Sequence, residues 1–192
     1  MKGEHFVVFA YGGEFSHLVS TPEVVIIKGE DYLSVYTSHH SYINSKPIKY
    51  GKIQSEMAEI IDKGGIIVLK NADNYALSPA WAELGKSNPT DMVNHIEDHV
   101  FDIDAELKLI TKEQLNLNDG IGPQFHQSDL CYALHTEVYA PIWQKGSEVT
   151  IIENCVNDAD IILNLVQTCS NAGYIKVRSR ATGVIKGFDL EW

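Results

Sequence analysis

Apolar positions along the chain change period several times, and each change marks an element. Residues 5–11 (HFVVFAY) form a short apolar run and predict a strand. Glu23–Lys28 and Tyr32–Thr37 are apolar and β-branched around Gly29-Glu30-Asp31, which predicts a hairpin. The polar run Ser38–Pro47 predicts a loop. Ile53, Met57, Ile60 and Ile61 then recur at i, i+4, i+7 and i+8, one face of a helix. Gly64-Gly65 provides its stop, and Ile66–Leu69 a short buried strand.

Further on, Asn71–Ala80 is irregular, with Pro79 placed to start a short helix over Ala80–Leu84. Met92, Val93, Ile96 and Val100 predict a helix over 91–100, with Thr90 as its N-cap. Glu106–Ile110 suits a strand, and Asn116–Pro123 a loop with Asp119-Gly120 as a turn. Residues 130–139 fit two patterns. Leu130, Leu134 and Val138 suit a helix capped by Ser128. The alternation of Cys131, Ala133, His135 and Glu137 against Tyr132, Leu134, Thr136 and Val138 suits a strand, and the β-branched and aromatic content selects the strand. Glu148–Cys155 reads as a strand. Asn157–Asp160 is a turn or a helix cap. Ile161, Ile162, Leu165, Val166 and Cys169 share a helical face that Gly173 could end; alternatively Ile161–Val166 is a returning strand. Tyr174–Arg180 and Gly183–Phe188 suit a C-terminal hairpin. These elements predict an α+β fold with a β-rich core.

The length of 192 residues predicts a single domain spanning 1–192, long enough for a real core. A net charge of -11 argues against binding to nucleic acid or an anionic membrane, and suits a basic protein partner. Three cysteines without a CxxC spacing argue against a disulfide framework and for a reducing, cytoplasmic setting. The N-terminal stretch has only a short apolar run and reads as neither signal peptide nor membrane span.

The sharpest candidate chemistry is His135-Thr136-Glu137. On a strand, alternate side chains share a face, so His135 and Glu137 would converge. Together they supply two members of a 2-His-1-carboxylate triad for non-heme Fe(II). The same pattern recurs at His95-Ile96-Glu97. His95 and His99, with Asp91 and Asp102 on roughly the same side of a helix, form a second metal candidate, for zinc. Arg178 and Arg180 are the only arginines in the chain and alternate with Lys176 along one strand face. Their planar guanidinium groups suit two-point binding of a carboxylate, although a charged edge strand explains them more readily. No GxSxG, Walker A or GxGxxG pattern occurs.

The stretch LHTEVYAPIW, Gly146, the apolar run Val149–Cys155 and the NDAD segment followed by IILNLV resemble the iron(II)/2-oxoglutarate-dependent oxygenases. The likeness is to their clavaminate synthase-like and TauD-like branch. KGGIIVLKNAD upstream resembles the strand that precedes the catalytic domain of that family. The resemblance covers roughly Lys63 to Val166. It implies a double-stranded β-helix (jelly roll) with flanking helices, Fe(II) held by His135 and Glu137, and 2-oxoglutarate held by Arg178 or Arg180. The implied substrate is a small molecule or amino-acid derivative. The family's second histidine ligand lies downstream of the motif, whereas none of the eight histidines here follows His135. The rival reading is a non-enzymatic acidic binding protein, an immunity protein or inhibitor of a basic toxin or nuclease.

Overall fold

The computed structural model describes residues 5–15, 20–38, 42, 44–69, 99–103, 105, 106, 109, 121–122, 148–178 and 184–190. These residues form a mixed α and β architecture. Strands β1 (His5–Phe15), β2 (Ser20–Lys28) and β3 (Leu33–Thr37) form an antiparallel meander. A two-residue strand β4 (Lys46–Pro47) runs parallel to β3. Helix α1 (Tyr50–Asp62) follows, then β5 (Gly65–Leu69), which returns parallel to β1. Strand β6 (Val100–Asp102) adds in parallel to β5. The six strands make one sheet in the order β4-β3-β2-β1-β5-β6. A second sheet is built from β7 (Ile121–Gly122), β8 (Tyr174–Arg178) and β9 (Ile185–Asp189), with β8 central. Between β7 and β8 in the chain runs α2 (Glu148–Ala172), a 25-residue helix.

Strand alternation divides the core in two. Val7, Phe9, Val25, Ile27, Tyr36, Ile67 and Leu69 face α1 and bury against Ile53, Met57 and Ile61. Phe6, Val8, Val24, Ile26, Val35 and Val68 face the other way and pack on α2. Each sheet face is therefore covered by a helix, which explains the continuous apolar runs in β2 and β5. Helix α1 has no side-chain cap and no acidic residue in its first turn. Its stability comes from packing rather than from its ends: burying Ile53 or Met57 contributes roughly 1.5–3 kcal/mol before entropy is counted.

The second sheet closes over α2. Ile175 and Val177 of β8 join the same buried cluster as Ile151, Cys155, Ile162 and Val166. Helix α2 is thus apolar on more than one side, as a helix lying between two layers must be.

The β2–β3 hairpin, α1, β5 and the β8–β9 hairpin lie where the sequence placed them. Gly64 (φ +84°) ends α1 and Gly173 (φ +76°) ends α2, both in the left-handed region open to glycine. Gly65 is needed for a different reason. A Cβ there would lie 2.5 Å from Ile60 Cγ2 and 2.9 Å from the Ile60 carbonyl oxygen.

Several expectations are corrected. Glu148–Cys155 is the first part of α2, not a strand. The run Val149-Thr150-Ile151-Ile152 has strand propensity, but Ile151, Ile152, Cys155, Ala159, Ile162, Val166 and Cys169 continue a helical period straight through Asn157–Asp160. That segment is neither turn nor cap: Asp158 is buried, and Asp160 pairs with Lys28 of β2. Strand β1 continues through Gly12-Gly13, with a bulge at that point, to Phe15. Val100 opens β6 instead of closing a helix. Glu106 and Leu109, from the strand expected over Glu106–Ile110, are helical, as are Ile103 and Ala105 before them. The loop expected over Ser38–Pro47 ends in β4, and that over Asn116–Pro123 contains β7. The described residues bear out a mixed, strand-rich fold but do not extend to the double-stranded β-helix that the resemblance implies: their larger sheet has three parallel neighbour pairs and a helix on each face. The expected elements over Ala80–Leu84 and 130–139 lie outside the described residues.

Candidate functional site

His135, Glu137 and Arg180 also lie outside the described residues. Arg178 is the last residue of β8, opposite Ile185. On that strand Ile175 and Val177 are buried while Lys176 is half-buried, its ammonium 5.8 Å from the Tyr174 ring centroid. Of the second metal candidate, His95 and Asp91 lie outside the described residues. His99 sits in a turn, where its carbonyl accepts from Ile67 N–H at 3.2 Å. Asp102 ends β6, and its Oδ1 accepts from Ala105 N–H at 3.2 Å, an N-cap to the helical residues that follow. Among the described residues, no three His, Cys, Asp or Glu side chains gather as a metal site.

The structure instead assembles a polar cluster that sequence reading missed. Tyr32, Ser34 and Tyr36 alternate at and along the start of β3, so all three face α1. Lys46 comes from β4, beside β3. Glu56 comes from α1, one residue before the buried Met57. The Glu56 carboxylate accepts on both oxygens. Tyr32 Oη donates to Oε1 at 2.5 Å. Tyr36 Oη at 2.5 Å and Lys46 Nζ at 2.9 Å donate to Oε2. Lys46 Nζ also donates to Ser34 Oγ at 2.9 Å and lies 5.1 Å from the Tyr36 ring centroid. Ser34 Oγ in turn donates to Tyr32 Oη at 3.3 Å.

The electrostatics follow from this geometry. Burial pushes the Glu56 carboxyl up, but the nearby Ser34 hydroxyl and the hydrogen bonds from Tyr32, Tyr36 and Lys46 together outweigh it and hold the group below its usual range. Burial pushes Tyr32 up to about 12, helped by its bond to the Glu56 carboxylate. The same two causes raise Tyr36 further. A tyrosine that serves as general acid or base near neutral pH needs its pKa lowered, not raised. A carboxylate already saturated by donors is a poor base. The cluster therefore acts as a clamp, fixing α1 to β3 and β4 with charge-assisted hydrogen bonds. The signal that could have revealed it is the polar alternation Tyr-x-Ser-x-Tyr at a strand whose opposite face is apolar.

On the other face of the sheet, Lys28 Nζ lies 3.1 Å from Asp160 Oδ1, tying β2 to α2. Cys155 and Cys169 are free thiols buried along α2. Burial pushes Cys169 up to about 12, the opposite of what a nucleophilic or redox cysteine requires. No helix among the described residues is long and apolar enough to cross a membrane. No known family model matches the chain, and no curated protein matches it.

Proposed function

We propose that this protein is a non-enzymatic acidic binding module whose partner is a basic protein. The observation that carries this reading is the large excess of acid over base, -11, with Glu30, Asp31, Glu59, Glu153 and Asp189 standing exposed on a scaffold of packed helices and sheets. Such a surface steers a cationic protein toward it and repels phosphate-bearing partners. The polar cluster with the most perturbed side chains supports the same reading, because its groups are shifted away from catalysis. Its role would be to stiffen the scaffold from which the acids project.

A second reading keeps the oxygenase resemblance, because His135-Thr136-Glu137 supplies two of the three ligands in the right order. In it a jelly roll would be completed by residues outside those described, His135 and Glu137 would hold Fe(II), and Arg178 or Arg180 would hold 2-oxoglutarate. The surrounding chain does not fit that pattern. Helix α2 takes up Val149–Cys155, where the resemblance calls for a strand. No histidine follows His135 as third ligand.

Calorimetry on the full chain tests the pair of readings. The binding module should take up cytochrome c, a small basic protein, with an affinity that falls as salt is added, because exposed charges are screened. It should give the same response to Mn(II), a surrogate for Fe(II), in wild type and His135→Ala. Mn(II) binding that His135→Ala abolishes would establish the second reading instead.

A further inference from the structure

Resting on that reading, we infer that the turn joining β2 to β3 is the docking surface. A basic folded protein would seat on an anchor of Tyr32 and Leu33, within an acidic rim of Glu30, Asp31 and Glu59. The anchor is unusual among the large side chains of the described residues. Tyr32 is 40% exposed and Leu33 48%, and they are consecutive. Neighbouring residues entering a strand point to opposite faces, so the two present apolar surface around a corner of the sheet. The corner itself is firm. Gly29 N–H donates to the Tyr32 carbonyl at 2.8 Å and closes the turn with Glu30 and Asp31 at its tip. The Tyr32 hydroxyl is held by Glu56 and Ser34. A tyrosine whose rotamer is set before binding loses little freedom on docking, and tyrosine is among the residues that most often carry interface energy.

The charge around the anchor specifies the partner. Glu30 and Asp31 are exposed, and neither they nor Glu59 makes an ion pair among the described residues. Glu59 lies one helical turn beyond Glu56, close enough for its charge to act on the Tyr32 phenol. Two cations border the turn, and each already has an acidic partner: Lys28 pairs with Asp160 while donating to the Gly29 carbonyl, and Lys46 pairs with Glu56. Lys52 and Lys63 stand at the two ends of the same α1 stripe as Glu56 and Glu59, so the acidic surface is the turn with Glu59 and not the whole helix. An apolar contact ringed by unneutralised carboxylates matches a protein face where lysines and arginines surround a small apolar patch.

The test maps binding on the isotope-labelled full chain. Cytochrome c is the probe, at low ionic strength, and the readout is amide shift. Shifts should cluster at 29–33 and 56–59. The Glu30→Gln, Asp31→Asn double substitution should weaken binding about tenfold or more. Tyr32→Ala should weaken it to a similar degree, while Tyr32→Phe, which keeps the ring, should weaken it less. If Tyr32→Ala loses its dispersed spectrum, Leu33→Ser makes the same test from the other side of the corner. Binding that survives the double substitution, with shifts centred elsewhere, overturns this docking surface and leaves the binding-module reading standing. Absence of any binding to cytochrome c overturns the binding-module reading itself, and this surface with it.

Discussion

Tyr36 donates its phenolic hydrogen to Glu56 Oε2 across 20 residues of chain, joining the middle of β3 to the middle of α1. The bond lies at the edge of a buried apolar cluster that includes Tyr36 itself and Met57. It is one of three donors on the same carboxylate, so Glu56 ties two other stretches of chain, those forming β3 and β4, to α1.

Glu56→Gln should therefore destabilise the fold by about 1–2 kcal/mol, since a half-buried amide cannot accept from all three donors. The effect should depend on pH. The folded carboxyl is held below its unfolded value. Its contribution is present above the ordinary glutamate range and disappears as pH falls through the folded value. Thermal unfolding of wild type and variant should differ at neutral pH and converge in acid. Equal melting temperatures at neutral pH would show that the clamp carries no stability.

At the alkaline end the sign reverses. The folded Tyr32 phenol titrates near 12 instead of 10.0 because burial and the Glu56 carboxylate disfavour the phenolate. A raised folded value means its contribution is complete below pH 10.0 and is lost as pH rises toward about 12. Tyr32→Phe should flatten the fall in stability over that window, as read by denaturant unfolding. A variant that loses stability as steeply as wild type would place Tyr32 in an ordinary exposed environment.

Gly65→Ala should cost about 2 kcal/mol, because the new methyl meets the Ile60 carbonyl, which is backbone and cannot swing aside. Gly64→Ala should cost about 1 kcal/mol for its left-handed φ alone. Gly187→Ala should be nearly neutral, as nothing lies within 4 Å of the added atom. Urea midpoints for the three variants give the order directly; a Gly65→Ala protein as stable as Gly187→Ala would refute the close approach of α1 to β5.

Cys155 and Cys169 should resist maleimide labelling in the native protein and react on denaturation, as read by peptide mass spectrometry. Both are buried in α2, and Cys169 is further protected by a pKa pushed up to about 12. Rapid native labelling of either would mean that α2 opens readily.

Local periodicity was enough to place the elements whose packing agrees with their propensity. The β2–β3 hairpin, the α1 stripe of Ile53, Met57 and Ile61, and the glycine stops at Gly64 and Gly173 are legible because each follows from neighbours within a few residues. Helix α2 was only half legible. Its β-branched start and its Asn-Asp centre each favour another local structure, and the two-sided burial between sheets that makes them helical is a property of the assembled layers. The Glu56 clamp was legible only as the Tyr-x-Ser-x-Tyr alternation and not in its partners, because the β3 stretch, β4 and α1 that supply them become neighbours only through the assembled sheet. Sequence alone determined the β2–β3 hairpin, the α1 stripe with its glycine stop, and how acidic the chain is. Only the tertiary structure decided which polar side chains share a carboxylate, since a charge-assisted hydrogen bond acts over about 3 Å of space regardless of the length of chain between its partners.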